Sequence, residues 1–167
     1  VFETLGINPT ERDPGINQVR QIVDKLCVLY NMNYRDAELI IKDSTFLMSR
    51  TGRIRNVVDS NGKHILSPRL ADGGLSLTVD GARILHSLRK DPIPTNFESK
   101  RKSDSTAKGL AWIVVDDDAE PFVKQGRNVM HGFVLACDEW TRPDETVLIV
   151  NQSGELLAIG RSQSTPE

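Results

Sequence analysis

The sequence is poor in the residues that build metal and disulfide frameworks. Its 167 residues include only two cysteines, Cys27 and Cys137. They stand far apart and form no Cys-x-x-Cys pair, which argues against a zinc site and a disulfide scaffold. Both are expected as reduced core residues, because free cysteine packs as a small hydrophobe. No apolar run approaches the roughly 20 residues that a membrane-spanning helix needs. No basic leader followed by an apolar stretch opens the chain, so secretion is not expected and the expected compartment is the cytoplasm. Catalytic signatures are also missing. There is no Gly-x-Ser-x-Gly nucleophile motif, and the pair Gly126 and Gly132 lacks the Gly-Lys-Ser/Thr of a phosphate loop.

A surplus of positive charge is absent as well. The formal net charge is −2, whereas nucleic-acid binders usually carry a basic excess. The distribution says more than the total. Arg50, Arg53, Arg55, Lys63, Arg69 and Arg83 lie in the first hundred positions, and Asp116, Asp117 and Asp118 weigh on the later part. Any phosphate-binding surface must therefore be a local patch, which can act because screening confines distant charges to about 8–10 Å.

What is present is a globular balance of 38% hydrophobic and 26% charged residues. Ile16, Val19, Val23, Leu26 and Tyr30 recur at helical spacing after the Pro14-Gly15 turn and predict an amphipathic helix with that stripe buried. Asn33 suits the cap of a second helix from Asp36 to Ile41. Thr45 to Ser49, Ile54 to Val58 and His64 to Leu66 read as strands of a small antiparallel sheet, the last two separated by the turn cluster Asp59 to Lys63. After the turn Ala71 to Gly74, Thr78 suits the cap of a helix burying Val79, Ala82, Ile84, Leu85 and Leu88.

Pro92, Pro94 and the polar stretch Glu98 to Thr106 have almost nothing to bury. They predict two domains: an α+β domain over 1–95, a linker over 96–106 and a second domain over 107–167. The second domain has short strands at Ala111 to Val115, Gly132 to Cys137, Thr146 to Val150 and Leu156 to Arg161. One brief helix, about Ala119 to Gln125, interrupts them, with Asp117 or Asp118 as its cap. Several short strands and one helix in so few residues suggest a partly open barrel.

The succession Trp112 to Val129, Phe133 to Asp138, Arg142 to Val147 and Gly154 to Arg161 resembles a PUA domain from end to end. Ser49 to Val57, Asp72-Gly73 and Thr78 to Leu85 resemble the domain that precedes PUA in archaeal tRNA-guanine transglycosylases, the enzymes of archaeosine synthesis. The resemblance implies an α+β protein ending in a PUA-type pseudo-barrel that binds structured RNA, above all tRNA. It implies no catalysis by this chain. The transglycosylases carry an aspartate nucleophile, a second acidic residue and a cysteine-rich zinc site on a separate barrel domain, for which these 167 residues leave no room.

In the PUA family the helix, the loop after it and the following strand face RNA. That implies Lys124, Gly126, Arg127, Asn128 and His131 as contacts, with Arg161 beside them. Gly126 can turn the chain as a left-handed helix stop. Arg127 can fork onto a phosphate or stack on a base, while Asn128 and His131 can read a base edge or a ribose hydroxyl. The plain alternatives are an ordinary helix stop and a solvated imidazole. In the first domain, Arg53 and Arg55 are two residues apart on a strand and so share a face opposite Ile54, with Arg50 beyond a bend. Either they grip a phosphodiester backbone, or they pair with Asp43, Asp59 or Asp72 at a sheet edge. Asp116 to Asp118 read as caps rather than metal ligands. No metal and no cofactor are expected.

The leading expectation is a non-catalytic tRNA-binding module linked to tRNA modification. The alternatives are an accessory subunit that needs a catalytic transglycosylase partner, a ribosome-associated translation factor, and a protein-protein adaptor.

Overall fold

The computed structural model describes residues 14–89, 93 and 109–164. The chain groups into two compact units, Val1–Ile84 and Leu85–Glu167. The expected linker at 96–106 lies outside the described residues. Secondary structure is α+β throughout.

The first unit opens with α1 (Ile16–Leu29) and α2 (Tyr34–Lys42). Asn33 caps α2 as expected, its side chain accepting from the Asp36 N–H at 2.9 Å. The buried stripe of α1 differs from the expected one. Ile22, Val23, Leu26 and Tyr30 face the core, while Ile16 is 73% exposed and Val19 is half-buried. Burial on this helix thus starts at Ile22 rather than at Ile16. Tyr30 closes the interior by donating its hydroxyl to Leu75 O at 3.3 Å. Burial pushes that phenol up to about 12.

Strands β1 (Thr45–Met48), β2 (Ile54–Val58), β3 (His64–Pro68) and β4 (Leu75–Leu77) form an antiparallel sheet in sequential order. The short β4 carries no alternating signal of its own and was not expected. Two bulges shape the sheet. Leu47 pairs with Asn56 and Met48 with Ile54, so Arg55 is an extra residue on β2. Val57 pairs with Leu66 and Val58 with His64, so Ile65 is an extra residue on β3. The second bulge explains why Ile65 and Leu66, neighbours in sequence, are both buried. Helix α3 (Val79–Ser87) follows, with Thr78 Oγ1 accepting from Gly81 N–H at 3.1 Å as its cap. Ala82 and Leu85 are buried, whereas Val79, expected on the buried side, is 41% exposed.

In the second unit, β5 (Trp112–Val115) lies between β6 (Val134–Cys137), its antiparallel neighbour, and β7 (Thr146–Val150), its parallel one. Antiparallel β8 (Leu156–Arg161) completes the order β6-β5-β7-β8. Helix α4 (Glu120–Lys124) follows β5 through a 3-10 turn, Asp117–Ala119. Asp116, not Asp117 or Asp118, supplies a cap, and it caps the 3-10 turn by accepting from Asp118 N–H at 3.1 Å, whereas α4 itself has no side-chain cap. The helical turn therefore starts directly at the end of the strand. Val115, Ala119, Val123 and Ile149 form the core beneath α4. Asn151 closes the β7–β8 hairpin by accepting from Ser153 and Glu155 N–H. Cys27 and Cys137 are free and half-buried rather than fully in the core. Among the described residues no helix is long and apolar enough to cross a membrane.

Candidate nucleic-acid interface

The loop after α4 is built by helix termination. Gly126 adopts φ +78, its N–H donates to Val123 O at 2.9 Å, and Arg127 N–H donates back to Phe122 O at 3.1 Å. These two bonds satisfy the last carbonyls of the helix and reverse the chain. Ala119 and Val123, four residues apart, point inward and leave Phe122 on the outer face, 49% exposed. The Arg127 guanidinium lies 5.7 Å from the centre of the Phe122 ring. Asn128 and His131 are exposed farther along the loop.

Of the expected contacts, Lys124 is the most committed elsewhere. Its ammonium lies 2.5 Å from Glu120 Oε1. That pairing raises the lysine and holds the Glu120 carboxyl below its ordinary range. Arg161 stands at the end of β8 and donates Nε–H to Asp144 O at 2.8 Å. Residues that sequence reasoning missed here are Phe122, Met130 (66% exposed) and Phe133 (41% exposed). The inward pair Ala119 and Val123 was the available signal for Phe122.

In the first unit, the loop before β2 is a tight turn. Ser49 N–H donates to Arg53 O at 2.7 Å and Gly52 N–H to Ser49 O at 3.0 Å. Gln18 of α1 fastens it, donating to Gly52 O at 2.8 Å and accepting from Ile54 N–H at 3.1 Å. Arg50, Arg53 and Arg55 are all exposed, with Ile54 buried between the last two. None of the three makes an ion pair among the described residues. Asp72 binds Arg69 at 2.8 Å, and Asp59 accepts from Asn61 and Lys63 N–H. Because Arg55 is the bulged residue, the strand re-aims it without disturbing the buried Ile54 and Val57.

Beside it runs a polar network in which Ser67 Oγ donates to Asn56 Oδ1 at 2.9 Å. His64 Nε2 lies 2.7 Å from Ser67 Oγ and 3.1 Å from Leu66 O. A carbonyl only accepts, so Nε2 carries the proton and donates. Ser67 and His64 are thus not a nucleophile with its base. Among the described residues no group of three or more His, Cys, Asp or Glu side chains is arranged to hold a metal ion.

Residues 33–92 match the family described as the patch-forming domain C2 of tRNA-guanine transglycosylase. Residues 111–167 match the PUA domain. The tRNA-guanine(15) transglycosylase of Thermococcus onnurineus is 34% identical over 154 residues, covering 92% of this chain and 23% of that protein. That of Methanocaldococcus jannaschii is 38% identical over 131 residues, 78% of this chain and 17% of that protein. The chain therefore spans about a fifth of the length of these relatives. A crystal structure of a hypothetical protein from Pyrococcus horikoshii shares the fold, with a TM-score of 0.58 at 18% identity over 89% of this chain and 79% of that one. This chain is thus a PUA-domain protein whose two matched domains resemble the corresponding part of the archaeal tRNA-guanine(15) transglycosylases.

Proposed function

We propose that this chain is a non-catalytic RNA-binding module that holds tRNA for a modification reaction, gripping it through the loop after α4. The observation that carries this reading is Arg127, laid over the exposed Phe122 ring at 5.7 Å and fixed in place by the Gly126 turn. A guanidinium stacked in this way keeps its in-plane donors available for a phosphate or a base edge. Exposed Asn128, His131, Met130 and Phe133 follow it, giving hydrogen-bonding groups and apolar surface for an unpaired base. Arg50, Arg53 and Arg55 add a contact to the sugar-phosphate backbone that is indifferent to sequence. The name of the relatives ties them to tRNA, which makes tRNA the RNA of choice.

The test compares unmodified tRNA with an RNA duplex of equal length over a salt series. The expected result is preferential binding to tRNA, with log affinity falling linearly as log salt rises. Equal affinity for both, or no binding to either, would sink the reading. A second reading starts from the name of the relatives, tRNA-guanine(15) transglycosylase. On that reading it is the RNA-holding partner of a separate catalytic transglycosylase subunit. Guanine exchange into tRNA by such a subunit would then rise when this chain is added, and an unchanged rate would dismiss it.

A further inference from the structure

Between β6 and β7 the chain makes a loop whose first residue is buried. Asp138 is 4% exposed, donates its N–H to Trp112 O at 2.9 Å and accepts from Trp140 N–H at 3.1 Å. Its carboxylate faces Arg89 at 3.9 Å, with both side chains almost fully shielded. Arg89 is itself tied to Leu110 O at 2.7 Å. Thr141, 3% exposed, donates its N–H to Asp138 O at 3.0 Å. Two buried anchors, Asp138 and Thr141, therefore force the residues between them outward, and the larger of these is Trp140, 48% exposed.

Indole is large and apolar, and burying such a ring is normally favourable. Here it stays in water on a loop pinned from beneath. The Arg142 guanidinium lies 5.7 Å from the Trp140 ring centre. It is held there by donating to Glu139 O at 2.8 Å and Thr141 O at 3.1 Å. The charges around the ring do not form a phosphate cradle. Glu139, Asp144 and Glu145 are exposed on the same loop, Arg142 has its Nη1 on two carbonyls, and Arg161 has its Nε on Asp144 O. A ligand for this loop is therefore recognised by a flat apolar face rather than by charge.

We infer that Trp140, braced by Arg142, is a stacking platform for one unpaired nucleobase of the bound RNA, separate from the contacts of the Arg127 loop. The inference rests on the RNA-binding reading above. Every base has a π face, so the platform tolerates any base identity and asks only that the base be unpaired. A duplex offers it nothing.

The two tryptophans supply the readout, because Trp112 is 5% exposed and Trp140 is 48% exposed. A two-stranded RNA duplex with a single-stranded 3′ overhang is titrated into the full chain, beside the same duplex with blunt ends. Binding is followed by anisotropy of labelled RNA and, in parallel, by intrinsic emission. The overhang RNA is expected to quench the red-shifted emission of Trp140, and the blunt RNA to leave it unchanged. Trp140→Ala and Arg142→Ala are expected to weaken the overhang RNA about tenfold, the scale of one base stacked on an aromatic, without weakening the blunt RNA. Arg127→Ala is expected to weaken both. Overhang RNA that binds without quenching Trp140, or that binds Trp140→Ala as tightly as wild type, overturns the platform and leaves the RNA reading standing. Failure of either RNA to bind removes the RNA reading and the platform with it.

Discussion

A Cβ at position 81 would fall 2.2 Å from the carbonyl oxygen of Ile65 and 2.9 Å from Leu77 Cδ1. Gly81 thus lets the first turn of α3 rest directly on the bulge of β3, where Ile65 O also accepts from Thr78 N–H and Oγ1. Backbone on one side and a capped helix on the other leave no room to yield. Gly81→Ala is expected to lower stability by at least about 1–3 kcal/mol, the usual cost of overpacking. Gly132→Ala is the control, with nothing within 4 Å of its added carbon and no left-handed backbone, and is expected to stay within about 0.5 kcal/mol. Urea denaturation of both variants checks the contrast.

The same region marks where sequence reasoning stops. The capping residues Asn33 and Thr78 were legible because a cap is a local event, one side chain reaching a backbone amide a few residues on. The β7 and β8 limits and the Gly126 turn were legible for the same reason. The bulges at Arg55 and Ile65 depend on what lies across the ladder, which no single strand encodes. Strand β4 is three residues long and owes its state to its partner β3. At the α4 loop the basic and polar candidates could be named from the resemblance alone. The exposure of Met130 and Phe133, and the commitment of Lys124 to Glu120, needed coordinates.

Thr141 carries a second prediction. Its hydroxyl is buried and has no hydrogen-bond partner among the described residues, although its backbone N–H is well bonded. An unmade hydrogen bond of this kind costs about 1–3 kcal/mol. Thr141→Val keeps the shape and removes the polar atom, so the variant is expected to be as stable as wild type or more so, by up to about that amount. A thermal melt that falls instead would show the hydroxyl to be bonded in solution.

Burial raises Asp138 above the ordinary value of 3.8, against the opposing pull of the Trp140 N–H and Arg89. The folded protein then holds this proton more tightly than the unfolded chain does. Its contribution to stability is full below the ordinary aspartate range and is lost as pH rises through the raised folded value. Asp138→Asn has no proton to exchange. The melting temperature of wild type relative to Asp138→Asn is therefore expected to rise as pH is lowered from neutral toward 4. A gap that shrinks on acidification would mean that the Arg89 pairing outweighs burial and that the shift has the opposite sign.

On the proposed reading Arg127 and Phe122 meet RNA as one unit, in which charge and ring play separable parts. Arg127 carries charge, so Arg127→Ala is expected to weaken tRNA binding by about 1.5–3 kcal/mol, the range of hydrogen bonds to charged groups. It should also reduce the slope of log affinity against log salt by about one phosphate contact. Phe122 carries no charge, yet its ring holds the guanidinium in place at 5.7 Å. Phe122→Leu is expected to weaken binding by about 0.5–1 kcal/mol, the worth of an exposed cation–π contact, with the salt slope unchanged. The double variant should then lose little beyond Arg127→Ala alone, since the ring acts through the guanidinium. Fully additive losses in that cycle would assign Phe122 a direct contact with RNA of its own.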